Sequence, residues 1–156
     1  LEDVVLTPTP SNPFCWSVWR VTSQGSDYVA ERGVVATLSG LVPVSGCRTE
    51  SDSAHPTASV LPLHLLEGSA VRWTGRYRAP LRELSALDAR SCYVAAFLRY
   101  ARVPFWLESA GTTVVGDLRY DRAPELEFAE MEVPSSANCP RWVPSWIPPR
   151  SSLLRR

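Results

Sequence analysis

"CWSVWRVT", Cys15–Thr22, decides the fold. Alternation along it puts Trp16, Val18 and Arg20 on one face and Ser17, Trp19 and Val21 on the other. A two-residue period of this kind predicts a strand. "SQGS", Ser23–Ser26, follows as a turn signal. "DYVAERGVVATL", Asp27–Leu38, then predicts the returning strand, with a bulge or kink at Gly33. An N-terminal antiparallel hairpin is the first expectation.

Upstream, "TPTPSNPFCW", Thr7–Trp16, carries Pro8, Pro10 and Pro13 beside two large aromatics. Proline lacks a donor N–H and holds its predecessor extended, so residues 1–14 read as a stiffened entry segment. Downstream, residues 39–69 are rich in Ser, Gly and Pro. They read as a surface loop, with room for a short helix near 62–67. Over 80–102 the apolar period becomes helical: Leu81, Leu84 and Leu87, then Tyr93, Phe97 and Tyr100 with Val94, Leu98 and Ala101 beside them. Pro80 suits the first helical position and Pro104 stops the helix.

"PFWLESAGTTVVGDLRYDR" from Pro104 predicts a second hairpin, with strands 105–109 and 112–120 around an Ala-Gly turn. "ELEFAEMEV", Glu125–Val133, predicts a further edge strand with charged outer positions. Residues 134–156 form a Pro- and Trp-rich tail that cannot be regular structure. The expectation is therefore one α+β domain over 15–133. It has a mainly antiparallel sheet of about five strands, with one or two helices packed on one face.

The chain has 156 residues, 45% of them hydrophobic and 21% charged, which suits a single domain with a real core. Net charge is zero, which speaks against a nucleic-acid partner. All 16 basic residues are Arg, a bias that a GC-rich genome accounts for. No run of eighteen apolar residues crosses a membrane and no signal peptide is evident. The first residue is Leu, so the expectation is a fragment or a processed product. Cys15, Cys47, Cys92 and Cys139 include no CxxC pair, which argues against a zinc site. Two disulfides and four thiols both remain open.

His55 and His64 lie in no HxH or HExxH arrangement, so no metal ligand is expected here. No GxSxG, Walker or GxGxxG motif is present. "GDLRYDR", Gly116–Arg122, is the most distinctive polar run. On a strand, Asp117, Arg119 and Asp121 share one face. The favoured reading is a solvated outer face with cross-strand ion pairs; the alternative is a polar pocket in which an Asp–Arg pair orients an anion. Arg72, Arg76, Arg78 and Arg82 form a basic cluster, with Glu67, Glu83 and Asp88 close enough in sequence to make it a mixed surface.

Taken in order, three stretches resemble one known family. "TPTPSNPFCW" is similar to a TPxPxNPxxW stretch that follows the last membrane segment of the YdjM-type bacterial inner-membrane proteins, a family of membrane-bound metal-dependent hydrolases. The helix ending in "FLRYARVPFW" and the run "VVGDLRY" extend the likeness, which spans Thr7 to about Val133. The matching residues are Asn12, Pro13, Trp16, Asp117, Leu118, Arg119 and Tyr120.

The resemblance implies a soluble C-terminal domain that follows a membrane-embedded part absent from this chain. Any divalent metal would sit in that absent part, with no cofactor and no metal ligand here. The expected role is a non-catalytic accessory domain that docks on or covers the membrane part, on an aqueous side of the inner membrane. Its own membrane-embedded N-terminal part would be its partner, with membrane-surface contact possible. Two alternatives stand beside it. One is a hydrolase in its own right, with Asp117 and Arg119 as catalytic candidates and Trp16 and Tyr120 as binding candidates. The other is a small-ligand sensor with a pocket between helix 80–102 and the sheet.

Overall fold

A computed structural model describes residues 2–10, 12–48, 61–62, 70–109, 111–121, 125–126 and 128–135. The expected hairpin is present. Strand β2 (Asn12–Gln24) pairs antiparallel with β3 (Asp27–Ala36) in unbroken register from Cys15↔Ala36 to Gln24↔Asp27. Gly25 opens the two-residue turn at φ 63°, a backbone conformation that glycine adopts without strain. The register of β3 against its other neighbour shifts between Arg32 and Gly33. A side chain at Gly33 would meet the carbonyl oxygen of Arg72 at 2.7 Å, so the bulge requires glycine.

Part of the expected entry segment is itself a strand. β1 (Asp3–Thr9) pairs antiparallel with β2 from Asp3↔Val21 to Pro8↔Trp16. It lies at the edge of the sheet, where a proline's missing N–H breaks no ladder. β5 (Val71–Pro80) pairs with β3, and the two-residue β4 (Leu61–Pro62) takes the far edge of β5. The order of this five-stranded sheet is β1-β2-β3-β5-β4.

From β5 the chain turns into helix α1 (Leu81–Arg90) and helix α2 (Cys92–Phe97). The single helix expected over 80–102 is broken at Ser91, which adopts extended φ/ψ of −132° and 113°. Its hydroxyl accepts a hydrogen bond from the Val94 N–H at 3.4 Å, so serine here caps α2 instead of continuing α1. Strand β6 (Pro104–Ser109), strand β7 (Thr112–Asp117) and strand β8 (Glu130–Glu132) then form a second antiparallel sheet in that order.

The expected class needs correction. The fold is mainly antiparallel β, in two sheets, with two short helices; it is not an α+β domain built on one sheet of about five strands. The β6–β7–β8 strands do not extend the first sheet edge to edge; they form a separate sheet that packs on it face to face across the main core. The edge strand expected over 125–133 shrinks to Glu130–Glu132.

The main core lies between the inner face of the first sheet and the layer made by the helices and the second sheet. Trp19, Val21, Tyr28, Ala30 and Tyr77 meet Leu84, Leu87, Val94, Phe105, Trp106 and Val115. Fully burying one such apolar side chain is worth about 1.5–3 kcal/mol. The Tyr28 and Tyr77 rings pack on Trp106 at 5.7 and 5.8 Å. Tyr77 also joins the sheets: its hydroxyl donates to the Trp106 carbonyl at 2.8 Å and accepts the Trp106 N–H at 3.1 Å. Burial pushes the Tyr77 phenol up, against the opposing effect of its bond to the Trp106 backbone, so it stays protonated.

A second, smaller core gathers Cys15, Val34, Ala36, Val44 and Cys47. There Cys15 and Cys47 form a disulfide with Cα atoms 5.5 Å apart. Cys92 is also disulfide-bonded, its partner lying outside the described residues. Among the described residues no helix is long and apolar enough to cross a membrane.

Candidate functional site

Asp117 ends β7, and Leu118–Tyr120 turn away from the strand. The expected alternation of Asp117, Arg119 and Asp121 on a solvated strand face therefore does not occur. Asp117 is fully buried, Asp121 is 5% exposed and the Arg119 side chain is 12% exposed. Turning the chain at Asp117 lets its carboxylate fold back over the next two residues. It accepts the Arg119 N–H at 3.1 Å, and the Arg119 guanidinium through Nε at 3.0 Å and Nη2 at 2.7 Å. It also accepts the backbone N–H of Arg102 at 2.8 Å, from the connection between α2 and β6.

Both carboxylate oxygens are thus taken by donors. Arg119 lies 4.8 Å from the centre of the Tyr120 ring and 5.9 Å from that of Tyr100. Burial pushes the Arg119 guanidinium down, but the bond and charge of Asp117 outweigh it and the net direction is up. Burial also raises the Tyr100 phenol, helped by its hydrogen bond with Tyr120. Tyr120 in turn meets the edge of Phe128 at 5.2 Å. Arg102 extends the assembly to β1, where its guanidinium grips both oxygens of Asp3 at 2.8–3.0 Å. Asp3 and Arg102 stand 99 positions apart, and no local pattern in the sequence marks them as partners.

Chemically this assembly is a clamp. A general base needs a lone pair free for a substrate proton, and Asp117 has spent its oxygens on fixed donors. The structure brings Asp117, Arg119 and Tyr120 together, but Trp16 is elsewhere. His55 and His64 lie outside the described residues. Among the described residues no group of three or more His, Cys, Asp or Glu could hold a metal ion.

Trp16 lies on the outer face of the five-stranded sheet, away from the main core. Val4, Leu6, Val18, Val35, Val71 and Trp73 surround it and line an open hollow of about 440 Å³. Val4 and Leu6 are 47% and 51% exposed. Arg20 borders the hollow, its guanidinium 4.6 Å from the centre of the Trp73 ring. Beside it, the Glu31 carboxylate is shared by Arg20, through Nε at 2.6 Å, and by Arg76, through Nη2 at 2.6 Å. Burial pushes the Glu31 carboxyl up, but its bonds to Arg76 and Arg20 more than reverse this and the net direction is down. Arg78 pairs with Asp27 at 2.7 Å and Arg72 donates to the Cys47 carbonyl at 2.8 Å. The basic run is therefore a mixed surface, with Glu31 and Asp27 from β3 as its paired acids among the described residues.

The space between the helices and the first sheet, where the small-ligand sensor alternative would place its pocket, is occupied by the Tyr28, Tyr77, Phe105 and Trp106 rings. A hollow of about 330 Å³ opens instead between α1 and β6, bordered by the charged Glu83, Arg90 and Glu108. No family model, curated protein or solved structure matches this chain.

Proposed function

We propose that this chain is a non-catalytic accessory domain that docks on a membrane-embedded hydrolase part of the kind its sequence resembles. The observation that carries the reading is the uncovered apolar hollow of the outer sheet face around Trp16 and Trp73. β1, the strand into which a preceding membrane segment would lead, itself supplies Val4 and Leu6 to that face. An apolar segment of the membrane part is the occupant that fits. The saturated Asp117 clamp supports a structural role for "GDLRYDR", and the Cys15–Cys47 disulfide supports a domain facing the periplasm of a bacterial cell.

The test compares this chain with a longer membrane protein that carries it, for bound metal and for phosphoesterase or peptidase turnover. Metal and turnover are expected only in the longer protein. In this chain Asp117→Asn is expected to lower the unfolding free energy by about 3–5 kcal/mol, the cost of breaking a buried pair, read by urea denaturation. Stoichiometric metal or turnover by this chain alone would overturn the proposal.

A further inference from the structure

The outer side of β1 carries backbone groups that the described fold does not use. Their direction follows from the registers. Thr37 donates its N–H to the Phe14 carbonyl at 2.9 Å, so the even-numbered residues of β2 bond to β3. An antiparallel ladder alternates, so the odd-numbered residues of β2 bond to β1. Their partners there are Asp3, Val5 and Thr7. Val4, Leu6 and Pro8 therefore direct their backbone groups away from the sheet. Among the described residues no donor or acceptor meets those of Val4 and Leu6.

Charge and proline commonly shield such an edge. No charged side chain occurs from Val4 to Trp19. The acids just before, Glu2 and Asp3, are held by the Ser23 hydroxyl and by Arg102. Pro8 closes only the far end of the strand. The stretch that stays open matches itself. With β1 of a second copy laid antiparallel beside it, Val4 of each copy exchanges both backbone bonds with Leu6 of the other. Sliding one copy until Leu6 faces Leu6 brings Val4 opposite Pro8, which has no N–H. Sliding it the other way, until Val4 faces Val4, brings Leu6 opposite Glu2, whose N–H already serves the Val21 carbonyl at 2.9 Å. In the Val4–Leu6 register alone do the outward groups of both copies find partners. That register also sets Asp3 opposite Thr7, so no two acids meet. Self-complementarity about a twofold axis is the requirement of a homodimer contact. The exposed side chains of Val4 and Leu6 then meet each other across the axis.

We infer that two copies of this chain associate through β1, antiparallel and in the Val4–Leu6 register, so that their five-stranded sheets run on as one. The contact uses the edge of the sheet and stands whether or not the accessory-domain reading holds. It engages few residues against the roughly 20–30 a side of a standard interface, so the dimer is expected to form only above about 10 µM. Sedimentation equilibrium over about 5–500 µM tests it, with amide exchange read at both ends of that range. The wild-type mass is expected to rise from monomer to dimer. The Val4 and Leu6 amides should slow about tenfold or more at the high end, while Val5, already bonded to β2, does not change. Leu6→Pro removes an outward N–H and no ladder bond within the chain. It is expected to stay monomeric with wild-type circular dichroism. Leu6→Thr keeps the N–H and is expected to dimerise still. A wild-type chain that is monomeric throughout, or Val4 and Leu6 exchange that ignores concentration, would overturn the inference whether or not the proline variant folds. So would a dimer that Leu6→Thr abolishes as fully as Leu6→Pro, which would assign the contact to the apolar face. Slowing of those two amides only in a longer protein that carries a membrane part would overturn it too, and give the edge to that part.

Discussion

Glu31 shows how one side chain decides a local arrangement. It is 2% exposed, on the sheet face opposite the main core, between two arginines that are each about two-fifths exposed. A buried carboxylate alone would take up a proton. With Arg20 and Arg76 it stays ionised, below the usual carboxylate range. In the unfolded chain a glutamate titrates near 4.3. Because the folded value is the lower one, the stabilisation is complete above about pH 4.3 and is lost as pH falls through the folded value. Stability should therefore decline on acidification below about pH 4.5, and Glu31→Gln should flatten that part of the profile, read as urea midpoints against pH. Arg20 and Arg76 are solvated enough that the effect should be modest. Asp117 teaches the complementary lesson. The sequence reveals a distinctive Asp-Leu-Arg-Tyr run but not that the strand stops at its first residue. Strand alternation assigns the charges to solvent, whereas the turn buries them.

Local pattern carried most of the individual elements. The β2–β3 and β6–β7 hairpins were legible from alternation, and glycine placement marked Gly33, where the register of β3 against β5 shifts. So were Leu84 and Leu87 as the buried positions of α1. What alternation could not reveal was pairing. β1 was hidden by its prolines, which an edge strand tolerates, and the helix break at Ser91 was masked by a continuous apolar stripe on both sides. Gly116 marks where an element depends on a missing side chain. A Cβ there would lie 2.3 Å from the Phe105 ring and 2.8 Å from Glu130. Its neighbours are β6 on one side and β8 on the other, so neither can yield easily. Gly116→Ala is expected to cost about 1–3 kcal/mol as overpacking. Adding Phe105→Leu should recover part of that loss in a thermal melt, which a purely conformational effect at Gly116 would not allow.

At the scale of the molecule, the choice between one sheet and two was not legible, because it rests on long-range packing of β6–β7 across the core, which no local alternation encodes. The disulfide state was equally open in the sequence, since spacing alone leaves Cys15 either paired or free. In the fold the Cys15–Cys47 bond closes a loop of 32 residues between the start of β2 and the turn that follows Val44. Restricting the unfolded chain by a loop of that size is worth about 3–4 kcal/mol. The double substitution Cys15→Ser with Cys47→Ser is expected to lower the denaturation midpoint accordingly. The smaller core around Val34 and Ala36 should loosen first by hydrogen exchange, while amides of the Tyr28–Trp106 core keep more of their protection.

The Tyr77 hydroxyl has a consequence of another kind. β6 is the open border of its sheet, and a bare strand border is a template on which a second chain can add itself. At Trp106, in the middle of β6, the outward amide and carbonyl are both occupied by one phenol from the neighbouring sheet. A single oxygen atom thus stands where an incoming strand would have to form its central bonds. The contact that joins the two sheets also occupies the backbone groups that a strand added at the middle of β6 would need.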